Sequence, residues 1–554
     1  MSPMPDFGRC RQNLIFMKKN NKFNLIIFFF IFVLGFFLRF YHLGSNPPGL
    51  YVDEAALGYN AYSILETGRD EYGKILPLFF RSFADYKMPL YIYLSVLPIK
   101  LLGLNTFSVR CLSALSGTLS IFLIFGLVKL LFREKNKGFW LTAAFVFSFL
   151  PWSVFMSRAA FEANLALFWL LLGVFLQLLS FEKDDCRYFF LAAFSYLLSA
   201  YSYHAERFLS PIIFLSLSFL WLRIDFRKDR LVKLLPGMLV FLLLFLPQLW
   251  LFSSPAGQAR IKALLGSPGE IKFLLARYTS YFSPRNLFFD PDPDLQRSYP
   301  QLSVFYSWMV IPFFLGLFSF LRKPRDWRKW VIVLFLLFSP LPAAFAGDPF
   351  SALRAYPLIF PLILIITLGI EQCWQKLKSA WLKILVVFLT IGISFFSLYR
   401  NSFILLPKER FSAWSYGYKL LADQLLKKGE PVLIDDPLGS SYIELLFFEQ
   451  YPPAFLHQER PKVDLSRYYD LGEWERQVSW RNFEVRGIFW EKDVYENKLI
   501  VATPLAVSAD QVKEHFFTKA FAILGSDGRA IFNGYQTNPG LKREDDRKKL
   551  QLVK

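Results

Sequence analysis

Residues 24–41 read NLIIFFFIFVLGFFLRFY, and a short way on residues 46–54 read NPPGLYVDE. The first stretch is an apolar run of the length a membrane-crossing helix needs, about 17–25 residues. Arg9, Arg11, Lys18, Lys19 and Lys22 precede it and no small-residue cleavage signal follows. It therefore reads as an uncleaved first membrane helix with a cytoplasmic N-terminus. The second stretch is a Pro-Pro-Gly turn that leads into two acids at the start of a helix. Leu57, Ala61, Ile64 and Leu65 share one face of that helix, and Gly68 is placed to end it.

Outward from there the pattern repeats. Apolar segments follow at 88–104, 107–131, 139–156, 162–180, 188–203, 207–222, 231–252, 303–321, 328–346, 354–371 and 380–400. The composition agrees: 54% hydrophobic, 19% aromatic with 64 Phe, and 19% charged, against about 25% charged in a soluble globular protein. Disorder and an ordinary soluble enzyme are both excluded. The formal charge of +19 points to basic cytoplasmic loops rather than to nucleic acid. Cys10, Cys111, Cys186 and Cys373 form no CxxC, so neither disulfides nor a thiol-bound metal is expected.

Charge decides the topology. If 88–104 lies in the outer interface instead of crossing, the loops 1–23, 129–138, 181–187, 223–233, 322–329 and 372–383 face inward with 24 Lys and Arg. The short outer loops 157–161, 204–207 and 347–354 then hold three. The positive-inside rule prefers these eleven crossings over twelve. The expected protein is a polytopic α-helical membrane protein of about 11–12 segments, with long outer loops at 42–87 and 253–302. The tail changes composition. Residues 405–535 read as an extracytoplasmic α/β domain with helix Trp414–Lys428, strand Pro431–Asp435 and helix Tyr442–Gln450, able to fold alone. Residues 536–554 read as a frayed charged end.

Candidate chemistry sits at the outer ends of the helices. Asp53 and Glu54 are either acids placed favourably at a helix N-terminus or a general base held outside the bilayer. The segment Asp85-Tyr86-Lys87-Met88-Pro89-Leu90-Tyr91 is either an interface anchor or an anion site, with Lys87 as a point charge for a lipid phosphate. Arg158 stands at one outer turn. Tyr201, Tyr203, His204, Glu206 and Arg207 crowd a second, and Asp348 and Arg354 a third. Arg260 belongs to the second long loop. Each could simply snorkel; together they would line a cleft of mixed charge at the rim. The alternating Asp290, Asp292 and Asp294 lack the Gly and Glu of a calcium loop and are read as Asp-Pro turns, and the four His are too dispersed for zinc. No phosphate-binding Gly-rich motif or nucleophile elbow is present.

The order of these features resembles a known family. Asp53-Glu54 opens the first outer helix and Lys87-Met88-Pro89-Leu90-Tyr91 follows. Cys111-Leu112-Ser113-Ala114-Leu115-Ser116-Gly117, Leu150-Pro151-Trp152 and Ser157-Arg158 come next. Over about 24–400 the chain is similar to the GT-C membrane glycosyltransferases of family 39. These include the dolichyl-phosphate-mannose protein mannosyltransferases and the lipid A aminoarabinose transferase. The resemblance implies a GT-C fold and transfer of a sugar from a polyprenyl-phosphate carrier to an acceptor hydroxyl on the extracytoplasmic face, with inversion. It assigns Asp53 as base with Glu54 beside it, and Lys87 to the donor phosphate, Met88 replacing the family's middle Pro. Asp85, Arg158, Arg207 and Arg354 would assist at the donor. Tyr91, His204, Glu206, Arg260 and Asp348 would line the substrate cleft. The expected partners are the lipid-linked donor, an acceptor of open identity and the bilayer. No cofactor is expected, although the reading does not exclude a divalent metal. The competing readings are a polymerase or ligase using lipid-linked donors, and a transporter or flippase; the latter would be expected to show internal repeats that this chain lacks.

Overall fold

The computed structural model describes residues 7–83, 85–224, 228–254, 270–322, 326–347, 349–426, 428–459, 464–470 and 476–553. The apolar runs become helices: α1 (Phe7–Phe40), α3 (Pro89–Leu102), α4 (Thr106–Leu131), α5 (Lys137–Phe149) and α6 (Pro151–Arg158), with α2 (Val52–Thr67) in the first outer loop. Then come α7 (Glu162–Lys183), α8 (Cys186–Ala200), α9 (Glu206–Ile224), α10 (Lys228–Ser253) and α11 (Glu270–Ser280). The membrane part closes with α12 (Val310–Arg322), α13 (Trp327–Phe338), α14 (Ile359–Lys376) and α15 (Ala380–Tyr399).

Among the described residues seven helices are long and apolar enough to cross a membrane, and eight if the bent pair α5–α6 is one span. The bend is 50° and falls at Leu150–Pro151, where proline lacks the N–H that would continue the ladder. Eleven crossings would need α8, α9 and the short helix Ser307–Arg322 to cross as well. Helix α3 has 14 residues, about 21 Å at 1.5 Å per residue and short of the ~30 Å hydrocarbon layer. Its Leu97 and Leu101 stay exposed.

The first long loop, residues 42–87, is structured. Helix α2 starts at Val52 and ends as expected at Gly68, whose φ of 68° is the left-handed conformation that glycine adopts without strain. A hairpin of β1 (Phe80–Ser82) and β2 (Asp85–Lys87) pairs Phe80 with Lys87 and returns the chain to the membrane.

The tail is α/β. It contains α16 (Tyr418–Leu425), β3 (Val432–Asp435), α17 (Tyr442–Glu449), β4 (Val478–Trp480), β5 (Phe483–Arg486), β6 (Leu499–Ala502), β7 (Thr518–Leu524), β8 (Ala530–Gln536) and α18 (Pro539–Val553). The six strands form one sheet in the order β4-β5-β3-β6-β8-β7. The apolar strand β3 is central and runs parallel to β5 and β6. Three differences from the sequence reading have physical causes. The helix expected from Trp414 begins only at Tyr418, because Trp414 is fully buried in the membrane part's core and Gly417, at φ 117°, turns the chain first. The end read as frayed is helix α18, tied to the sheet domain by Tyr495 on Asp546 and within itself by Lys542 on Asp546.

Third, the tail does not close its core on itself. Leu421, Ile434, Ile443 and Phe447 share one buried cluster with Leu50, Leu57 and Tyr59 of the first loop and with Tyr91 and Val109 below. Helix α2, expected to be amphipathic, is therefore covered on most of its circumference, with Glu54 through Ala61 all buried.

Candidate active site

Consecutive residues on a helix point about 100° apart, so Asp53 and Glu54 meet different neighbours. Both acids sit favourably at the positive end of α2. Glu54 turns inward and is completely buried. Its Oε1 accepts from Arg110 Nε at 2.8 Å and from the Ala160 amide at 2.7 Å, and its Oε2 accepts from Arg110 Nη2 at 2.7 Å. Arg110, one turn into α4, also donates to the carbonyls of Leu43 (3.2 Å), Pro47 (3.0 Å) and Gly49. The pair thus fixes the loop before α2. Both Glu54 oxygens are thereby engaged, by a permanent cation and by an amide.

Asp53 turns outward. Its side chain is 49% exposed, and Oδ1 accepts from Lys87 Nζ at 2.6 Å. Lys87 closes β2 and its side chain is 11% exposed. Burial alone would lower its ammonium pKa, but Asp53, Glu162 and Asp85 hold it above the ordinary lysine value. The cation is therefore kept charged in a partly desolvated place, where it acts more strongly than in water.

Charged and phenolic groups from other turns stand in the electrostatic field around this pair. The Tyr203 phenol is pushed up by burial and feels Arg354, Glu206, Arg297 and Glu162. Tyr51, immediately before α2, is likewise raised by burial and lies in the field of Asp53, Glu54, Glu162 and Arg297. Arg297 is held by Asp294 at 3.0 Å and donates to Ser351 Oγ at 3.2 Å. His204 Nε2 contacts the Tyr86 carbonyl at 2.7 Å, and Arg207 Nη1 reaches His204 Nδ1 at 3.4 Å. The arginine can only donate, which assigns the imidazole proton to Nε2. Arg207 also stacks over Phe252 at 4.1 Å.

Two residues expected at the site are engaged elsewhere. Arg158 is buried and braces the loop, donating to Leu38 O at 2.8 Å and Asn46 O at 2.9 Å. Tyr91 is buried and donates to Val109 O at 2.8 Å, which fixes α3 on α4. Arg260 and Asp348 lie outside the described residues. Asp85 remains beside the pair as part of the carboxylate field on Lys87.

The sequence reading missed Arg110 as the partner of Glu54. An arginine one turn inside a 26-residue apolar helix is a usable signal, because such a charge demands a partner. It also missed Arg297 as a neighbour of these groups; nothing in its spacing links it to Tyr51. Among the described residues no group of three or more His, Cys, Asp or Glu is arranged to hold a metal ion.

With its broken helix bundle, structured first long loop and α/β tail, the chain is a multi-pass membrane protein, and its likeness to a solved structure is to one of GT-C fold. The comparisons with known proteins agree. The sequence model of the family described as dolichyl-phosphate-mannose-protein mannosyltransferase matches residues 86–251, from the residue before Lys87 to the end of α10. The crystal structure of ArnT from Cupriavidus metallidurans bound to undecaprenyl phosphate aligns over 93% of this chain and 98% of its own, with TM-score 0.53 and 13% identity. The apo structure of the same protein aligns over the same shares, with TM-score 0.52 and 11% identity. At such identity the likeness is one of fold. No curated protein matches the sequence.

Proposed function

We propose that this chain is a glycosyltransferase that moves a sugar from a polyprenyl-phosphate carrier to an acceptor hydroxyl at the outer membrane face. The observation that carries the reading is the Asp53–Lys87 pair, a half-exposed carboxylate 2.6 Å from a lysine at the cleft rim. The family match and the fold shared with an undecaprenyl-phosphate-bound protein support it. The bias of Lys and Arg among the loops supports the orientation proposed with it, the rim outside and the N-terminus in the cytoplasm.

The chemistry follows from the groups present. Lys87 and the cleft arginines attract the donor phosphate. A phosphate oxygen that draws the ammonium toward itself leaves Asp53 free to accept a proton. The acceptor oxygen attacks the anomeric carbon, its proton passes to Asp53, and the bond from that carbon to the phosphate oxygen breaks with its electron pair on the polyprenyl phosphate. Lys87 stabilises the charge that develops there. Asp53 serves as base with no second nucleophilic carboxylate, which favours a single displacement and inversion. The test is purified full-length protein in nanodiscs, supplied with polyprenyl-phosphate sugars one at a time. Release of polyprenyl phosphate by the wild type and its loss in Asp53→Asn is the expected result; no release from any donor tried would count against the reading.

A further inference from the structure

Helix α2 carries Asp53 near its start, and the hairpin β1–β2 carries Lys87 at its end. The hairpin has three residues in each strand, and a lone two-stranded hairpin is marginal in water. Tail residues Tyr468 to Asp470 lie against it. Tyr468 is fully buried. Its hydroxyl accepts from the Arg81 amide at 2.7 Å and donates to Asp70 Oδ2, in the turn that follows α2. Its carbonyl accepts from Tyr86 Oη at 2.6 Å, and the Asp470 carbonyl accepts from the same hydroxyl at 2.9 Å. Arg81 and Tyr86 are register partners across the hairpin. One tail residue therefore grips both strands and ties them to the end of the helix that bears Asp53.

Contacts from the membrane part complete the grip. The Tyr86 carbonyl accepts from His204 Nε2 at 2.7 Å, and the Leu90 amide donates to the Tyr201 carbonyl at 3.1 Å. Tyr469 meets Trp250, near the end of α10, edge-on at 5.1 Å. Tyr86 and Met88, on either side of Lys87, are buried in one cluster with Tyr468 and Leu251. Successive side chains of a strand point to opposite faces. The face that Tyr86 gives to the tail therefore sends Lys87 the other way, to Asp53 at 2.6 Å. Burial pushes the Tyr86 phenol up to about 12, so it stays a donor.

We infer that Tyr468 and Tyr86 are positioning residues that act through Lys87: the tail clamps the hairpin and holds the ammonium where the donor phosphate binds. The inference rests on the proposed function and gives the tail a part in recognising the lipid phosphate. Lysine is a point charge on a flexible stem, so the place where its backbone is fixed decides where its charge can reach. A strand held through its side chain, its carbonyl and its register partner gives that stem one root. A clamp set before the lipid arrives spares the binding step this ordering.

The test uses the full chain in nanodiscs and compares binding of decaprenyl phosphate with that of decaprenol, which has the same chain and no phosphate. Tyr468→Phe and, separately, Tyr86→Phe remove one hydroxyl and keep the ring. The expected result in each is a preference for the phosphate over the alcohol that falls about tenfold, the scale of one or two hydrogen bonds, with affinity for decaprenol kept. In a Lys87→Ala background the same substitutions should change the preference by less than about twofold, because they act through the ammonium. Tyr86→Phe leaves the bond from Tyr468 to Asp70 intact and decides the matter where Tyr468→Phe does not fold. An unchanged preference in Tyr86→Phe, an equal loss for both lipids, or an undiminished effect in the Lys87→Ala background would overturn the clamp and leave the enzyme reading standing. A wild type that does not prefer the phosphate would instead bring down the function itself.

Discussion

Glu54→Gln separates the two adjacent acids, because the structure gives them opposite surroundings. Glu54 and Arg110 are both completely buried and share two short hydrogen bonds, with a third from the Ala160 amide. Neutralising the carboxylate leaves a guanidinium in the interior with the carbonyls of Leu43, Pro47 and Gly49 and the Trp414 ring around it. Removing one member of a buried pair costs about 3–5 kcal/mol. Glutamine still offers one oxygen to the amide, so the lower end, about 3 kcal/mol, is expected, roughly a 150-fold shift in the folded-to-unfolded ratio. The assay is thermal unfolding of the full chain in nanodiscs, followed by tryptophan fluorescence. Glu54→Gln should unfold clearly below the wild type. The double variant Glu54→Leu/Arg110→Met, which removes both charges, should recover a large part of the loss. A Glu54→Gln protein that melts like the wild type but transfers no sugar would refute the reasoning, since Glu54 would then be the base and Asp53 the bystander.

Asp53→Asn should lower turnover by about 10²-fold or more while keeping affinity for the proposed polyprenyl-phosphate donor, measured as kcat alongside ligand affinity; near wild-type turnover would sink the assignment. Lys87→Ala should weaken phosphate binding and turnover together, because the charge acts in both ground and transition states; unchanged affinity would place the phosphate elsewhere. Asp70 gives a pH signature. Burial pushes its carboxyl up to about 6, against hydrogen bonds from Tyr468 and from the backbone of Lys74 and Tyr72. An acid raised on folding adds stability that is full below its unfolded value near 3.9 and lost as pH rises through about 6. The melting difference between wild type and Asp70→Asn should therefore change between pH 4 and 7, and parallel curves would contradict the burial. Gly49→Ala forces a methyl onto the Trp414 carbonyl and should destabilise by about 1–3 kcal/mol; a neutral effect would show that linker and loop are not pressed together. Single cysteines at Arg133 and Asp290 should react with an impermeant reagent only at 290, and the reverse would invert the topology.

The sequence by itself determined the elements whose cause is local. Apolar runs of spanning length, the Pro-Pro-Gly turn into Asp53, the stop at Gly68 and the apolar strand Val432–Asp435 all follow from backbone chemistry and from the cost of exposing or burying side chains. The pairing of Asp53 with Lys87 was within reach of a family resemblance, because both lie in one loop. Only the tertiary structure decided what came from elements far apart in sequence. It turned Glu54 onto Arg110, 56 residues away, and drew Arg158 and Tyr91 out of the cleft into backbone bonds. It sank Trp414 into the membrane part's core. A charge's role depends on which partner reaches it first once helices pack. That is a property of the three-dimensional arrangement, which spacing along the chain does not encode.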